Sequence, residues 1–212
     1  MRGTLLSGED RQKVSEAIRA AEEGTSGEIY CVIARSSDDY FYPAAFALTT
    51  GVLAASLFAG LLLRLLWFDI GAIGFVLVQV AALFSGFAVL KLAPGLRIHL
   101  VPRRLRDRRA HDNAVRQFLA HNVHLTGERT GVLIFVSLAE RYAEVVADAG
   151  IASAVPGDAW DEIVSALVRE ARAGRYAQGF IQAVGMAGEL LTRHFPARPG
   201  DHNELDDHLV EI

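Results

Sequence analysis

The chain has 212 residues, of which 51% are hydrophobic and 22% are charged, and its formal net charge is −4 at pH 7. This charge argues against nucleic acid as the main partner, because nucleic-acid-binding domains are usually basic. A single cysteine, Cys31, excludes an internal disulfide, so the fold must depend on its own core. The first 23 residues hold five acidic side chains and no apolar stretch, unlike a secretory signal peptide.

The N-terminal region predicts a helix followed by a strand. Ser7, with Asp10 three residues later, is typical of a helix N-terminus, and apolar residues then recur at helical spacing as far as Gly24. Residues 28–34 are rich in β-forming side chains and predict a buried strand. One strand cannot form a sheet by itself, so we expect it to join strands that come later in the chain.

Two long apolar stretches follow, at about residues 41–63 and 70–90, and neither contains a charged residue. As a helix, each would extend over roughly 30 Å, the thickness of the hydrocarbon core of a bilayer. The stretches predict a transmembrane hairpin within residues 40–95, with Trp67 and Phe68 as interfacial side chains in its turn. Two passes return the chain to the side on which it began.

Positive side chains are concentrated after the second stretch, whereas the turn has only Arg64. The positive-inside rule therefore predicts a protein of the plasma membrane with both termini in the cytoplasm. Six arginines after the hairpin are also candidates for binding anionic lipid headgroups, and the alternative is that they act only as topology determinants on a helix surface. These residues are Arg97, Arg103, Arg104, Arg106, Arg108 and Arg109.

Small residues recur every four positions in both apolar stretches, which is typical of helices that pack closely in membranes. The simplest interpretation is that the two helices pack on each other, and a homodimer through the same surface is the alternative. The residues concerned are Ala47, Gly51, Ala55, Ala59, Ala82 and Gly86.

The region after the hairpin predicts the remainder of a soluble domain. Its elements are a helix at 105–123, strands at 131–137 and 142–147 joined as a hairpin, a helix from Asp158 and a helix at 176–194. The segments 1–39 and 96–195 should therefore form a single α/β sandwich, a small mixed sheet with covering helices, interrupted by the transmembrane hairpin. The polar tail, 196–212, is predicted to be a loosely held extension.

Two acidic side chains stand where α/β sheets often bind ligands, near the ends of strands. Asp148 follows a predicted strand just before Gly150, and Asp158 opens a predicted helix. Together with Glu144 or backbone carbonyls they could bind Ca²⁺ or Mg²⁺. The alternative is structural, with Asp158 capping its helix and Asp148 serving a turn.

Histidines offer a second, weaker metal hypothesis. His121 and His124 are three residues apart and share one face of the predicted helix, with His111 about three turns earlier. No third ligand is identifiable, and the alternative is that the pair interacts with the dipole at the helix C-terminus. The sequence has no nucleophile elbow and no phosphate-binding Gly-rich loop, so it assigns no catalytic residue.

Several segments of the chain resemble the TPM domain family. They are Thr-Ser-Gly-Glu-Ile at 25–29, Arg-Thr-Gly and the apolar run after it at 129–137, the segment 141–150, Val-Pro-Gly-Asp at 155–158, and Gly-Arg-Tyr-Ala-Gln-Gly-Phe at 174–180. The resemblance covers nearly all of the predicted soluble part. The inserted hairpin is similar to that of a bacterial membrane-anchored branch of the family.

The resemblance implies an α/β sandwich, and members of the family have been linked to acid phosphatase activity, photosystem repair, receptor accessory roles and divalent-cation binding. Many members carry Asp-Asn-Gly or Asp-Asp-Gly before the central strand, where this chain has Arg129-Thr130-Gly131 and so lacks a carboxylate. We therefore expect a non-enzymatic accessory or scaffold module that binds a protein partner as well as membrane lipid. The alternative is a weak divalent-metal-dependent phosphomonoesterase that uses Asp148 and Asp158.

Overall fold

The computed structural model describes residues 4–68, 71–126, 128–198 and 204–212. The chain divides into two compact units. One, which we call the α/β unit, contains the residues up to 37 and those from 108 onward. The other, the helical unit, contains residues 38–107.

The α/β unit is built on a four-stranded mixed sheet. Its strands are β1 (Glu28–Ala34), β2 (Gly131–Ser137), β3 (Tyr142–Ala147) and β4 (Leu209–Glu211). The strand order is β3-β2-β1-β4, with β1 parallel to both β2 and β4 and with β2 antiparallel to β3. The first strand therefore joins strands formed after the insert, as the sequence predicted.

Helices cover both faces of this sheet. The helices α1 (Gly8–Glu22), α6 (Asp158–Arg172) and α7 (Tyr176–His194) contribute to the core on one face, and α4 (Arg103–Ala120) contributes to the core on the other. Successive residues of a strand point to opposite faces, so Ile29 and Cys31 lie in the first core and Tyr30 and Val32 in the second. Because both faces are covered, every residue of β1 and β2 is buried, and the predicted α/β sandwich is confirmed.

The helix predicted at 105–123 ends earlier than expected. The helix α4 stops at Ala120, Asn122 takes a left-handed conformation with φ of 58°, and a short 3-10 helix follows at Val123–Leu125. Asparagine tolerates this conformation better than most residues, so it can end a helix in this way. The turn lets Val123 enter the core beneath α4.

The described end of the C-terminal tail is not a loosely held extension, so the expectation was wrong for these residues. Leu209–Glu211 form β4, and Leu209 is only 5% exposed. The backbone nitrogen of Ile212 donates to the carbonyl of Ile33 at 3.0 Å, and its carbonyl accepts from Arg35 at 2.9 Å. We call the described residues 204–212 the C-terminal strap, because they run along the edge of β1.

The helical unit contains α2 (Phe41–Leu65), α3 (Ala72–Leu92) and a 3-10 helix (Pro94–Leu100). Asp69 and Ile70, where the predicted turn meets the second apolar stretch, lie outside the described residues. Tyr40, Ala44, Leu90 and Val101 form a small core at one end of the unit. Both α2 and α3 are long and apolar enough to cross a membrane.

Candidate functional site

A buried polar network lies at the carboxyl ends of the parallel strands β1 and β2. Ser137, the last residue of β2, donates a hydrogen bond to the carboxylate of Glu140. Ser37, which follows β1, shares a hydrogen bond of 2.9 Å with the hydroxyl of Ser137, and its backbone nitrogen donates to Glu140 at 2.9 Å. From α4, the amide of Asn113 donates to the Ser37 hydroxyl at 3.3 Å.

This network is structural rather than catalytic. Both oxygens of the Glu140 carboxylate accept hydrogen bonds, and Glu140 and Ser137 are buried, so the Ser137 hydroxyl cannot reach a ligand from solvent. The network holds the segment 35–37, through which the chain leaves the α/β unit, against the end of the sheet. Sequence reasoning missed the network, because its only signal was the presence of polar residues directly after two buried strands.

Asp148 lies at the N-terminus of the short helix α5 (Ala149–Ala152). Its Oδ1 accepts a hydrogen bond from the nitrogen of Ala149 at 2.6 Å, whereas Oδ2 is buried and has no partner among the described residues. A Cβ atom at the nearby Gly150 would lie 2.7 and 2.5 Å from the carbonyl oxygens of Glu128 and Arg129. Just after β3 there is therefore a buried carboxylate, Asp148, with one oxygen that has no described hydrogen-bond partner, and the loop beside it is tightly packed.

The other two predicted carboxylates make different contacts. Asp158 is an exposed first residue of α6, and Gly157 occupies the N-cap position, so the predicted capping by Asp158 is wrong. Glu144 on β3 accepts a hydrogen bond from the Tyr142 hydroxyl at 2.9 Å and lies 3.0 Å from Nδ1 of His111.

These residues do not fit a divalent-cation site. No group of three or more His, Cys, Asp or Glu side chains within the described ranges is placed to hold a metal ion. Calcium usually takes about six to eight oxygen ligands, several of them from carboxylates. Oδ2 of Asp148 and Oε2 of Glu28 are both buried without a hydrogen-bond partner among the described residues, but these two residues alone do not supply the ligand number that calcium requires. Arg129 stands in the loop where a further carboxylate would be useful.

His121 and His124 do not share a helical face, because α4 ends before both of them. Nδ1 of His121 shares a hydrogen bond of 2.9 Å with the Tyr30 hydroxyl, and the two rings stack with centroids 4.7 Å apart. Burial, and to a smaller extent the nearby His208 of the strap, lowers the pKa of His121. His121 is thus a neutral packing partner of Tyr30 near neutral pH.

The remaining histidines make separate contacts. The ring of His124 lies 6.3 Å from that of Phe118, and its buried Nδ1 has no hydrogen-bond partner in the described part of the chain. His111 pairs with Glu144. The structure therefore does not bring His111, His121 and His124 together as metal ligands.

Arg97 contacts other residues of the helical unit, which differs from its predicted role of binding lipid headgroups. Its Nε donates to the carbonyl of Leu90 at 2.8 Å, near the end of α3, and its guanidinium lies 3.4 Å from the carboxylate of Asp39. The same group stacks over the ring of Phe41 at 5.2 Å. With its side chain 13% exposed, Arg97 is not available to an external ligand.

The arginines of α4 are more accessible. Arg103 pairs with Asp107 at 3.7 Å but remains 83% exposed. Arg104 and Arg108 are exposed, and neither forms an ion pair with a described residue. The final members of the predicted set are Arg106, which is half-buried, and Arg109, which is exposed.

The contact between α2 and α3 uses residues different from most of the predicted small ones. Gly86 does face the partner helix, because a Cβ atom there would lie 2.7 Å from a methyl group of Leu48. Gly51, by contrast, has open space around it, and Ala55 and Ala82 are exposed. Ala47 and Ala59 are half-buried. The alternative role of the small residues, in a homodimer, stays a prediction.

A groove of about 670 Å³ lies between α1 and α7. Small side chains dominate its lining, namely Ala17, Ala20, Ala21, Gly24, Gly185 and Gly188. Its charged lining residues are Glu189 and Arg193, one turn apart on α7. Ligand sites of enzymes usually combine apolar walls with several converging polar groups, and this lining does not provide such a set.

The fold defines the class of the protein. It is a small mixed-sheet α/β domain that is interrupted after its first strand by two long apolar helices. Residues 94–190, which are 97 of the 212, match the TPM domain family. The protein therefore carries a TPM domain, and the resemblance seen in its sequence is confirmed.

A solved structure supports the same fold. The chain is similar to the NMR structure of the BA42 protein from the psychrophilic bacterium Bizionia argentinensis, with a TM-score of 0.61 and 19% sequence identity. The match covers 100% of this chain and 98% of that one. At this level of identity, the likeness establishes the fold alone. No curated protein matches the chain.

Proposed function

We propose that this is an integral protein of the bacterial inner membrane whose TPM domain lies on the cytoplasmic side and acts as a non-enzymatic accessory or scaffold module for a protein partner. One observation carries the membrane part of the proposal. The large apolar side chains of α2 and α3 are exposed, as in Leu57 at 78%, Phe58 at 68% and Phe84 at 75%.

Water is a poor environment for such helices, because helices that are apolar on all sides are stable only inside a protein core or a lipid bilayer. The α-helix satisfies its own backbone hydrogen bonds and can therefore enter lipid. The only charged residues within α2 and α3 are Arg64 and Lys91, which lie next to the last residue of each helix. At these positions a long basic side chain can reach the polar interface.

The charge around the two helices supports the proposed orientation. Lys91 and six arginines lie between positions 91 and 109, whereas the opposite end of the two helices has one basic residue, Arg64 in the last turn of α2. Basic residues that flank membrane spans concentrate on the cytoplasmic side. Both termini should therefore be cytoplasmic.

The scaffold part of the proposal is supported by how the polar groups are used. The hydroxyl of Ser137 is committed to Glu140, and the described residues contain no group of three or more His, Cys, Asp or Glu side chains that could hold a metal ion. A TPM domain without such a site is best suited to bind another protein.

Fractionation and reporter fusions test the proposal. The full chain should stay with membranes after alkaline carbonate extraction and should leave them only in detergent. Reporters fused after Trp67 and after Ile212 should report opposite sides of the membrane, with the second in the cytoplasm. Recovery of the chain in the aqueous fraction without detergent would exclude membrane insertion, and a periplasmic C-terminus would reverse the orientation.

The partner is tested by a pull-down from membranes in mild detergent. A matched bait consisting of the same chain with the exposed groove residues changed, Glu189→Ala and Arg193→Ala, should lose a specific partner if the groove of the α/β unit recruits it. A bait that recovers the same proteins as an unrelated two-span membrane protein would contradict the scaffold role.

The alternative, a weak divalent-metal-dependent phosphomonoesterase, has one favourable observation, the buried Oδ2 of Asp148 without a described partner. Phosphate release from an aryl phosphate, measured with and without Mg²⁺ or Ca²⁺, tests it. The activity should then depend on metal and should fall with Asp148→Ala but not with the exposed Asp161→Ala. Turnover that is independent of metal and unchanged by Asp148→Ala would exclude this function.

A further inference from the structure

Charge is strongly segregated along the chain. Residues 91–109 contain seven Lys or Arg residues and one acidic residue, Asp107, which gives a formal charge of +6. The whole chain has −4, so the remaining residues together have −10. This basic segment begins at the end of α3 and continues into the first two turns of α4.

Three exposed arginines of this segment, Arg103, Arg104 and Arg108, have few negative partners among the described residues. Arg104 and Arg108 lie one turn apart on α4, where side chains of like charge repel each other. Neither forms an ion pair with a described residue, and Arg103 has only the 3.7 Å contact with Asp107. Positive charges in the first turns of a helix are also unfavourable with respect to the helix dipole. An external anion would reduce both repulsions.

Apolar side chains precede these arginines. Between α3 and α4, the 3-10 helix Pro94–Leu100 exposes Leu96 at 49% and Leu100 at 43%, while Arg97 is turned inward. The chain that leaves α3 therefore presents leucines and then arginines to its surroundings. This order is typical of a segment at the membrane interface, where leucines contact acyl chains and basic side chains contact phosphates.

We infer that Arg103, Arg104 and Arg108 bind the headgroups of anionic phospholipids, with Leu96 and Leu100 at the adjoining acyl boundary. The inference rests on the proposed membrane insertion and names the lipid class that the inserted protein prefers. Guanidinium groups donate two parallel hydrogen bonds to a phosphate, which makes arginine well suited to this ligand. Lipids with net negative charge should be preferred over zwitterionic lipids, because each basic residue near the surface adds electrostatic attraction.

Native mass spectrometry of the full chain in detergent, titrated with phosphatidylglycerol or with phosphatidylcholine, tests the inference. The wild type should retain phosphatidylglycerol in preference. The double variant Arg104→Gln/Arg108→Gln should weaken phosphatidylglycerol binding by roughly tenfold to thirtyfold, since each basic residue contributes about a factor of five. The control Arg169→Gln/Arg172→Gln removes two exposed arginines from α6 and should bind as the wild type does.

Three outcomes would overturn the inference: equal binding of both lipids by the wild type, equal loss in the two double variants, or displacement of phosphatidylglycerol by inorganic phosphate. The last result would identify a site for free phosphate instead of a lipid surface. Carbonate extraction of the same proteins separates this inference from the proposed function. If the chain resists extraction but shows no lipid preference, only the headgroup site fails, whereas release of the wild type into the aqueous fraction removes the membrane proposal itself.

Discussion

Oε1 of Glu28 accepts a hydrogen bond from the backbone nitrogen of Glu204 at 3.1 Å, which fastens the C-terminal strap to the first residue of β1. Burial raises the pKa of Glu28, and hydrogen bonds from the backbone of the strap oppose this rise. Nearby, Arg19 pairs with Asp207 of the strap at 3.2 Å. The strap is thus held by ionisable groups as well as by β4.

The titration of Glu22, the last residue of α1, should make the free energy of unfolding depend on pH. Burial raises the pKa of this carboxyl from 4.5 to about 9, with smaller contributions from the charges of Glu28 and Asp207, while its hydrogen bond from Ile29 opposes the rise. The folded state therefore favours the protonated, neutral form of Glu22. Because the folded-state pKa lies above the unfolded value, the contribution of Glu22 to the free energy of unfolding is most favourable below about pH 4.5 and is lost progressively as the pH rises towards 9.

The substitution Glu22→Gln keeps a neutral group at this position at every pH. It should make the protein more stable than wild type by on the order of 1 kcal/mol or more near pH 8, and the difference should vanish near pH 4.5. Thermal unfolding in detergent across this pH range measures the effect. Glu23→Gln, at an exposed neighbouring position, is the control and should leave the wild-type profile unchanged. Parallel profiles for wild type and Glu22→Gln would contradict the assignment.

The strap should contribute to stability through Leu209, which is buried in the larger core. Leu209→Ala should lower the free energy of unfolding by about 2–4 kcal/mol and should speed hydrogen exchange at the amide of Ile212. Ile212→Ala, at a residue that is 42% exposed, should cost less than about 1 kcal/mol. Equal effects of the two substitutions would mean that β4 contributes little packing.

The polar network at the ends of β1 and β2 should be sensitive to the loss of its carboxylate. Glu140→Ala would leave the donors of Ser36, Ser37 and Ser137 without their acceptor, and it should cost about 3 kcal/mol. Denaturant unfolding compared with Glu162→Ala, an exposed acidic residue of α6, provides the measurement and its control. A cost below about 0.5 kcal/mol would show that solvent replaces the lost acceptor.

Two glycines should respond in opposite directions to alanine. A Cβ atom at Gly131 would overlap the backbone carbonyl oxygen of Val123, whereas a Cβ atom at Gly185 in α7 meets nothing within 4 Å. Gly131→Ala should therefore destabilise the α/β unit by more than about 2 kcal/mol. Gly185→Ala should stabilise it by roughly 0.5–1 kcal/mol, because alanine is the better helix former. The difference in unfolding temperature between the two variants is the test, and a destabilising Gly185→Ala would contradict it.

The elements that sequence reasoning predicted well are those whose burial is complete or whose apolar run is long. Residues 28–34 and 131–137 are covered on both faces, so the five central residues of each run are all hydrophobic, and the pattern is unambiguous. The three residues of β4 offer no such run, because only Leu209 among them is fully buried. Their pairing is decided by the distant β1, which no local pattern can indicate.

The candidate site was harder to predict than the fold. The sequence placed Asp148 and Asp158 at the ends of elements, where a shared metal site was one hypothesis. In the structure Asp148 uses one carboxylate oxygen to cap α5, and Asp158 is an exposed first residue of α6. The histidine pair failed for a similar reason, since the left-handed Asn122 separates His121 from His124. For the histidines, the backbone conformation of a single residue decides the outcome, which side-chain spacing cannot indicate.

The position of β1 also sets the order in which the sheet can be completed during synthesis. This strand is made before both of its neighbours. Its partner Gly131 follows Glu28 by more than a hundred residues, and its other neighbour, β4, comes later still. Neither edge of β1 can therefore be paired with its native neighbour while the apolar insert is being made. A nascent chain would need to keep that strand from pairing with other exposed edges until β2 and β4 have been made.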